Sequence, residues 1–298
     1  MLAHASCMIE EQPTPLPQWP HWEAKLDLVF RGVGSETVLV GRRHHGPLRV
    51  QRAFLESSGA CHAYVLHPPG GVVGGDRLAV NVQADASARA LVTTPGATKF
   101  YRSAGAVARQ IQHLRVDAAS SLEWLPQETI VFDGAIAEMQ TTVQLAPGGR
   151  AIAWDVVCLG RPAAGERFNA GRFRQRMEWF EGARPLLTEA LTIDGSGPVL
   201  QAAWGLAGCS TYGTLVVHPV TGTALPSARA AAAELLQNTP EDRFGASQLM
   251  QSEQQYTLVC RYLGTSTERC KAVFTSIWQA LRPLVVGLRA EPPRVWRT

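Results

Sequence analysis

The chain has 298 residues, long enough to bury a substantial core as one large domain or two. Hydrophobic residues make up 46% and charged residues 18%, below the roughly 25% charged share of ordinary soluble domains, so more apolar surface than usual is expected to meet partners. A net charge of +3 without a lysine- or arginine-rich cluster excludes nucleic acid as a partner.

Residues 1–21 hold four prolines and few packing residues, which predicts a loose tail before one domain over residues 22–298. Short apolar or alternating segments follow at Leu26–Phe30, Ala63–Leu66, Leu78–Val82 and Ala90–Thr93, bounded by Gly or Pro and read as strands. Between them lies His67-Pro68-Pro69-Gly70-Gly71-Val72-Val73-Gly74-Gly75-Asp76-Arg77-Leu78, with four glycines and two prolines that impose an irregular backbone. A second rigid patch runs from Thr93 to Ser103. Neither patch has the spacing of a phosphate loop, and the alternation after Asp76 reads as a strand rather than the helix a dinucleotide site needs.

Further along, Arg172–Trp179 alternates most clearly: Phe173, Gln175, Met177 and Trp179 share one face, and Arg172, Arg174, Arg176 and Glu178 the other. From Gly195 to Ala228 there is no charged side chain. Glycines, prolines, serines and threonines interrupt that stretch, which argues for buried strands and turns rather than a membrane span. Two helices are expected late in the chain. Ser227 is placed as a cap for Ala228–Leu236, ended near Asn238 by Pro240. A second begins near Thr267, carries Cys270, Val273, Phe274, Ile277, Trp278 and Leu281 as one stripe, and closes at Pro283. The fold class is mainly β; composition alone leaves sandwich, barrel and solenoid open, and no fixed repeat is visible.

Six cysteines (Cys7, Cys61, Cys158, Cys209, Cys260, Cys270) are scattered without a C-x-x-C pair and read as reduced thiols. The N-terminus lacks the pattern of an export signal, so a cytoplasmic location is expected. Constellations for nucleophilic catalysis or zinc binding are missing. His44-His45 reads as a solvated loop pair, Cys61 as a packed thiol and His67 as a turn residue. Lys99 and Arg102 are candidates for an anion or for pairing with nearby acids. Asp76, Asp155, Glu189, Glu123 and Glu128 stand out because an acid inside an apolar segment is costly unless it is paired, hydrogen-bonded or metal-bound.

The wording HPPGGVVGGDRL, TTPGATKFYRS, LEWLPQETIVFDGA and CLGRPAAGE, with Gly46–Arg52 before it and Leu281-Arg282-Pro283 and Pro293–Trp296 after it, closely resembles the urease accessory protein D family, called H in some organisms. The resemblance spans roughly residues 22–298 and is loose from Gly195 to Arg243. It implies a superhelical, β-helix-like stack of many short strands with about two helices toward the C-terminus. It further implies a non-catalytic maturation chaperone that acts with accessory proteins F and G on apo-urease and helps deliver nickel, as cargo rather than as a cofactor of its own. In that setting Asp76, Asp155 and Glu189 are candidate weak oxygen ligands along an interior route. Two rivals stand beside this reading: a purely structural adaptor, and a β-solenoid carbohydrate-active enzyme using the same acids in an exposed groove. The tail Pro292–Trp296 is expected to expose its tryptophan to accessory protein F.

Overall fold

The computed structural model describes residues 21–237 and 239–297. The tail reading of residues 1–20, Cys7 within it, and the helix end at Asn238 lie outside the described residues. Strands β1 (Glu23–Val33) and β2 (Glu36–His45) form a hairpin, followed by the short β3 (Arg49–Val50) and β4 (Phe54–Leu55). The chain then coils between two sheets. It passes from β5 (Cys61–Leu66) to β6 (Arg77–Asp85), then through β7 (Arg89–Thr93) and β8 (Thr98–Phe100) to β9 (Ala108–Val116). The next coil takes β10 (Ser121–Trp124) and β11 (Thr129–Val131) to β12 (Ile136–Leu145), and the last takes β13 (Arg150–Leu159) to β14 (Arg172–Glu181).

Strands β1, β6, β9, β12 and β14 stack in parallel on one sheet, and β5, β7, β10 and β13 on the other. The result is a β-solenoid of about four turns. The stacked positions Leu78, Gln110, Met139 and Gln175 are unequally spaced in sequence, which is why no fixed repeat is visible. β15 (Arg184–Asp194) closes the first sheet as an antiparallel edge. On the second sheet β16 (Thr211–Val220) pairs antiparallel with β13. After helix α1 (Ala224–Leu236) come β17 (Arg243–Met250), β18 (Tyr256–Gly264) and helix α2 (Thr267–Val285).

Two cores result, one between the sheets and one between the second sheet and the helices. β13 belongs to both. Ala151, Ala153, Val157 and Leu159 face the inter-sheet core, while Ile152, Trp154 and Val156 face the helices. The stripe expected on α2 is buried in full, and Gly213 of β16 admits the helix: a Cβ there would meet Cys270 Sγ at 2.7 Å. The strand readings at Leu26–Phe30, Ala63–Leu66, Leu78–Val82, Ala90–Thr93 and Arg172–Trp179 all fall within strands. Among the described residues no helix is long and apolar enough to cross a membrane.

Two helix boundaries and the placement of the tail differ from expectation. α1 starts at Ala224, ahead of Pro226, which the first helical turn tolerates. Ser227 is therefore inside the helix and donates back to the Thr223 carbonyl. α2 continues two residues past Pro283, whose exposed position in the last turn loses a single backbone bond to a side already facing water. The tail is not an exposed tryptophan: Trp296 stacks 5.5 Å from both Trp154 and Trp278, and its Nε1 donates to Thr93 Oγ1 at 2.9 Å.

Helix α2 is locked to the solenoid by a buried charge cluster. Arg282, with its side chain fully buried, donates from Nε to both Glu123 oxygens at 3.0 and 3.1 Å. Its other nitrogens reach Glu56 at 2.9 and 3.1 Å and the Arg289 carbonyl, and Trp278 Nε1 donates to Glu123 at 2.6 Å. Breaking such a cluster from one side leaves buried carboxylates unpaired, at a cost of about 3–5 kcal/mol. Arg282→Met is therefore expected to lose about that much unfolding free energy in urea titrations, and adding Glu123→Gln is expected to recover part of it. An unchanged midpoint in the single variant would show that the cluster does not hold the helix.

Candidate functional site

The two glycine- and proline-rich patches meet around one cavity of about 280 Å³. His67, Pro68 and Gly70 line it from the first patch, and the run Thr94–Lys99 from the second. Backbone bonds tie the patches together: Val72 N–H donates to the Lys99 carbonyl at 2.7 Å and Tyr101 N–H to the Val72 carbonyl at 3.0 Å. Gly71 is required for that approach, since a Cβ would lie 2.1 Å from the Tyr101 ring. Asp76 closes the first loop. Its Oδ1 accepts from Trp22 N–H and its Oδ2 from Val73 N–H, each at 3.1 Å, and it is not among the residues lining the cavity.

The floor of the cavity comes from the solenoid interior. On the first sheet one inward column reads Leu26, Val80, Gln112, Thr141, Met177, Glu189, and the next reads Ala24, Leu78, Gln110, Met139, Gln175, Leu191. Both start apolar and carry polar side chains from β9 onward, Gln112, Thr141 and Glu189 in the first and Gln110 and Gln175 in the second. Opposite them Asp155 points inward because it shares the parity of Ala153 and Val157 on β13. Thr141 Oγ1 lies 3.4 Å from Asp155 Oδ2 and 3.2 Å from Gln112 Oε1. Gln175 Nε2 donates to Asp155 Oδ2 at 3.1 Å, and Tyr212 O–H donates to Gln175 Oε1 at 2.8 Å.

Beyond Gln175 and Tyr212 lies a larger cavity of about 740 Å³. Glu189, Arg261, Arg243 and Leu191 line it, and Arg261 Nε donates to Glu189 at 2.7 Å. That ion pair is part-exposed, so it is cheap to open. Asp155 and Glu189 thus line two neighbouring cavities, with a hydrogen-bonded partition between them, while Asp76 supports the loop at the far side of the smaller one.

Among the described residues no three His, Cys, Asp or Glu side chains converge to hold a metal ion tightly. Soft ligation is also unfavourable, because burial pushes the Cys61 and Cys158 thiols up to about 11. His67 is disfavoured as a cation by burial, against the opposing charge of Asp76. Of the remaining candidates, Arg102 pairs with Asp133 at 3.4 Å and Glu128 with Lys271 at 2.7 Å. Glu123 belongs to the α2 cluster. The interior polar residues Gln112, Thr141 and Tyr212 drew no notice in the sequence. The signal for Gln175 was present, since it shares an inward face with Phe173, Met177 and Trp179.

Asp155 carries a titration signature. Burial pushes its carboxyl up from 3.8 to about 6, while the bonds from Gln175 and Thr141 hold it lower than burial alone would. Its folded value exceeds its unfolded one, so the folded chain keeps a proton that the unfolded chain releases between those values. That stabilisation is lost as pH rises through about 6. Asp155→Asn cannot titrate, so its stability advantage is expected to be absent near pH 4 and to reach about 3 kcal/mol by pH 7.5. Urea denaturation of both proteins across that range checks this; a difference independent of pH would contradict it.

The family model described as UreD urease accessory protein matches residues 23–297. The urease accessory protein UreD of Dechloromonas aromatica is 44% identical over 280 residues, covering 94% of this chain and 96% of that protein. That of Alkalilimnicola ehrlichii is 41% identical over 286 residues, covering 96% and 95% respectively. That of an Enterobacter species (strain 638) is 40% identical over 290 residues, covering 96% of this chain and all of that protein. Matched from its first described strand to its last turn, the chain belongs to the UreD family of urease accessory proteins.

Proposed function

We propose that the protein acts in the cytoplasm as a non-catalytic scaffold on apo-urease, together with accessory proteins F and G, and that nickel crosses its interior on the way to the urease active site. The observation that carries the reading is a cavity inside the solenoid, lined by Asp155, that adjoins a part-open cleft beside β15, lined by Glu189. Sparse oxygen ligands suit a borderline divalent ion in transit, because they attract the charge without the multidentate grip that would trap it. Asp155 exchanges its amide and hydroxyl donors for the cation, and Glu189 exchanges Arg261. Asp76 contributes in this reading by holding the loop that walls the smaller cavity.

The enzyme rival is disfavoured by placement. A solenoid hydrolase presents its acids in an open groove on an outer face, whereas Asp155 lies between the sheets and is almost fully buried. The adaptor rival differs in one outcome only. Asp155→Asn combined with Glu189→Gln keeps shape and hydrogen-bonding capacity but removes both charges. The expected result is normal co-purification with accessory proteins F and G and apo-urease, with several-fold less nickel in the urease produced. Normal nickel content would favour the adaptor, and loss of assembly would make the acids structural.

A further inference from the structure

We propose that Gln175 is the door between the interior cavity at Asp155 and the part-open cleft at Glu189, and that its carboxamide turns over when a divalent cation reaches Asp155. The proposal rests on the interior route described above. Its basis is the partition itself, which is built from hydrogen-bonding side chains rather than packed hydrocarbon. Tyr212, Gln175, Asp155, Thr141 and Gln112 form one continuous chain of contacts from 2.8 to 3.4 Å. Gln112 and Asp155 line the smaller cavity, and Gln175 and Tyr212 the larger.

Gln175 differs from the other members in being held at both ends of one amide. Its Nε2 faces the Asp155 carboxylate at 3.1 Å and its Oε1 takes the Tyr212 hydroxyl proton at 2.8 Å. A cation on Asp155 repels the amide N–H groups and attracts an oxygen. Turning the amide end about Cγ–Cδ exchanges two ends of nearly equal size, so it needs no repacking of the surrounding Met139 and Met177 wall. The turned group presents Oε1 to the ion as a second hard oxygen ligand. Tyr212 completes the exchange, because a hydroxyl that donated to Oε1 can rotate and accept from Nε2. Burial holds its phenol protonated well above the ordinary range, so it keeps both capacities. The rest state therefore turns amide N–H groups toward Asp155, which oppose a cation, and the arriving charge replaces them with an oxygen ligand that lets the ion advance.

Two substitutions test the door apart from the route. Gln175→Met keeps length and volume but offers no amide. With accessory proteins F and G and apo-urease present, it is expected to assemble normally and to lower urease nickel content at least tenfold at a fixed time. Gln175→Glu places a second carboxylate beside Asp155. The soluble pair of this variant with accessory protein F is expected to retain Ni²⁺ after gel filtration, measured by elemental analysis, where the native pair retains none. If Gln175→Met loads nickel at the native rate while Asp155→Asn is impaired, the route stands and the door is overturned. If both load normally, route and door fall together. Should Gln175→Met prevent assembly, the Glu variant decides, and absence of retained Ni²⁺ there overturns the proposal.

Discussion

Strand β13 is covered on both faces, and that double burial decides where every polar group near the centre of the molecule can go. One face of the strand closes the solenoid and the other seats α2, so each of its side chains is assigned to a core by parity alone. An acid on such a strand has no solvent side to turn to. Asp155 is on the inner parity, and the first sheet answers it with Gln112, Thr141 and Gln175 at stacked inward positions. Burying a polar group is tolerable only with partners supplied. Its direct partners Thr141 and Gln175 come from two different coils, and the in-register stacking of β12 and β14 sets them on neighbouring columns facing the acid, with Gln112 of β9 behind Thr141.

Among the described residues two buried polar systems differ in character. Around Arg282 the carboxylates of Glu56 and Glu123 take up the guanidinium from two sides, with Trp278 and a backbone carbonyl filling further positions. That system is built around a fixed cation, one guanidinium held by two carboxylates, and suited to holding a helix in place. Around Asp155 the partners are neutral amides and hydroxyls, and among the described residues no cation pairs with it. A carboxylate held this way is raised toward neutrality by burial and keeps an unmet demand for positive charge. The two systems thus differ in chemistry as well as in place, one on the helix side of the second sheet and one inside the solenoid.

The glycine-rich loops gain their meaning from the same geometry. They wall the cavity whose floor is Asp155, and Asp76 stabilises that wall by accepting two backbone N–H groups. Small residues are needed there because two loop backbones and the Tyr101 ring pass within contact distance. The rigidity read from the glycines and prolines therefore belongs to a cavity wall and not to a phosphate cradle.

Local pattern was enough to mark the strands, the buried stripe of α2 and the family, since alternation, helical spacing and long motif wording are all carried by neighbouring residues. It also put Gln175 on an inward face beside Phe173, Met177 and Trp179, and singled out Asp155 as an acid in an apolar run. What it left open was decided by stacking. Coils of unequal length hide their repeat, so the levels at which Gln112, Thr141, Gln175 and Asp155 meet follow from the registers of separate strands and from nothing within any one of them. Asp76 and Asp155 look alike as isolated acids, yet one is satisfied by a loop backbone and the other by side chains across the interior. Trp296 looked free because its prolines bar it from a sheet, whereas its docking between Trp154 and Trp278 depends on a helix and a strand far away in sequence. Burial on one or two faces is a property of the assembled sheets, and it fixed which residues stayed structural and which were left facing a cavity.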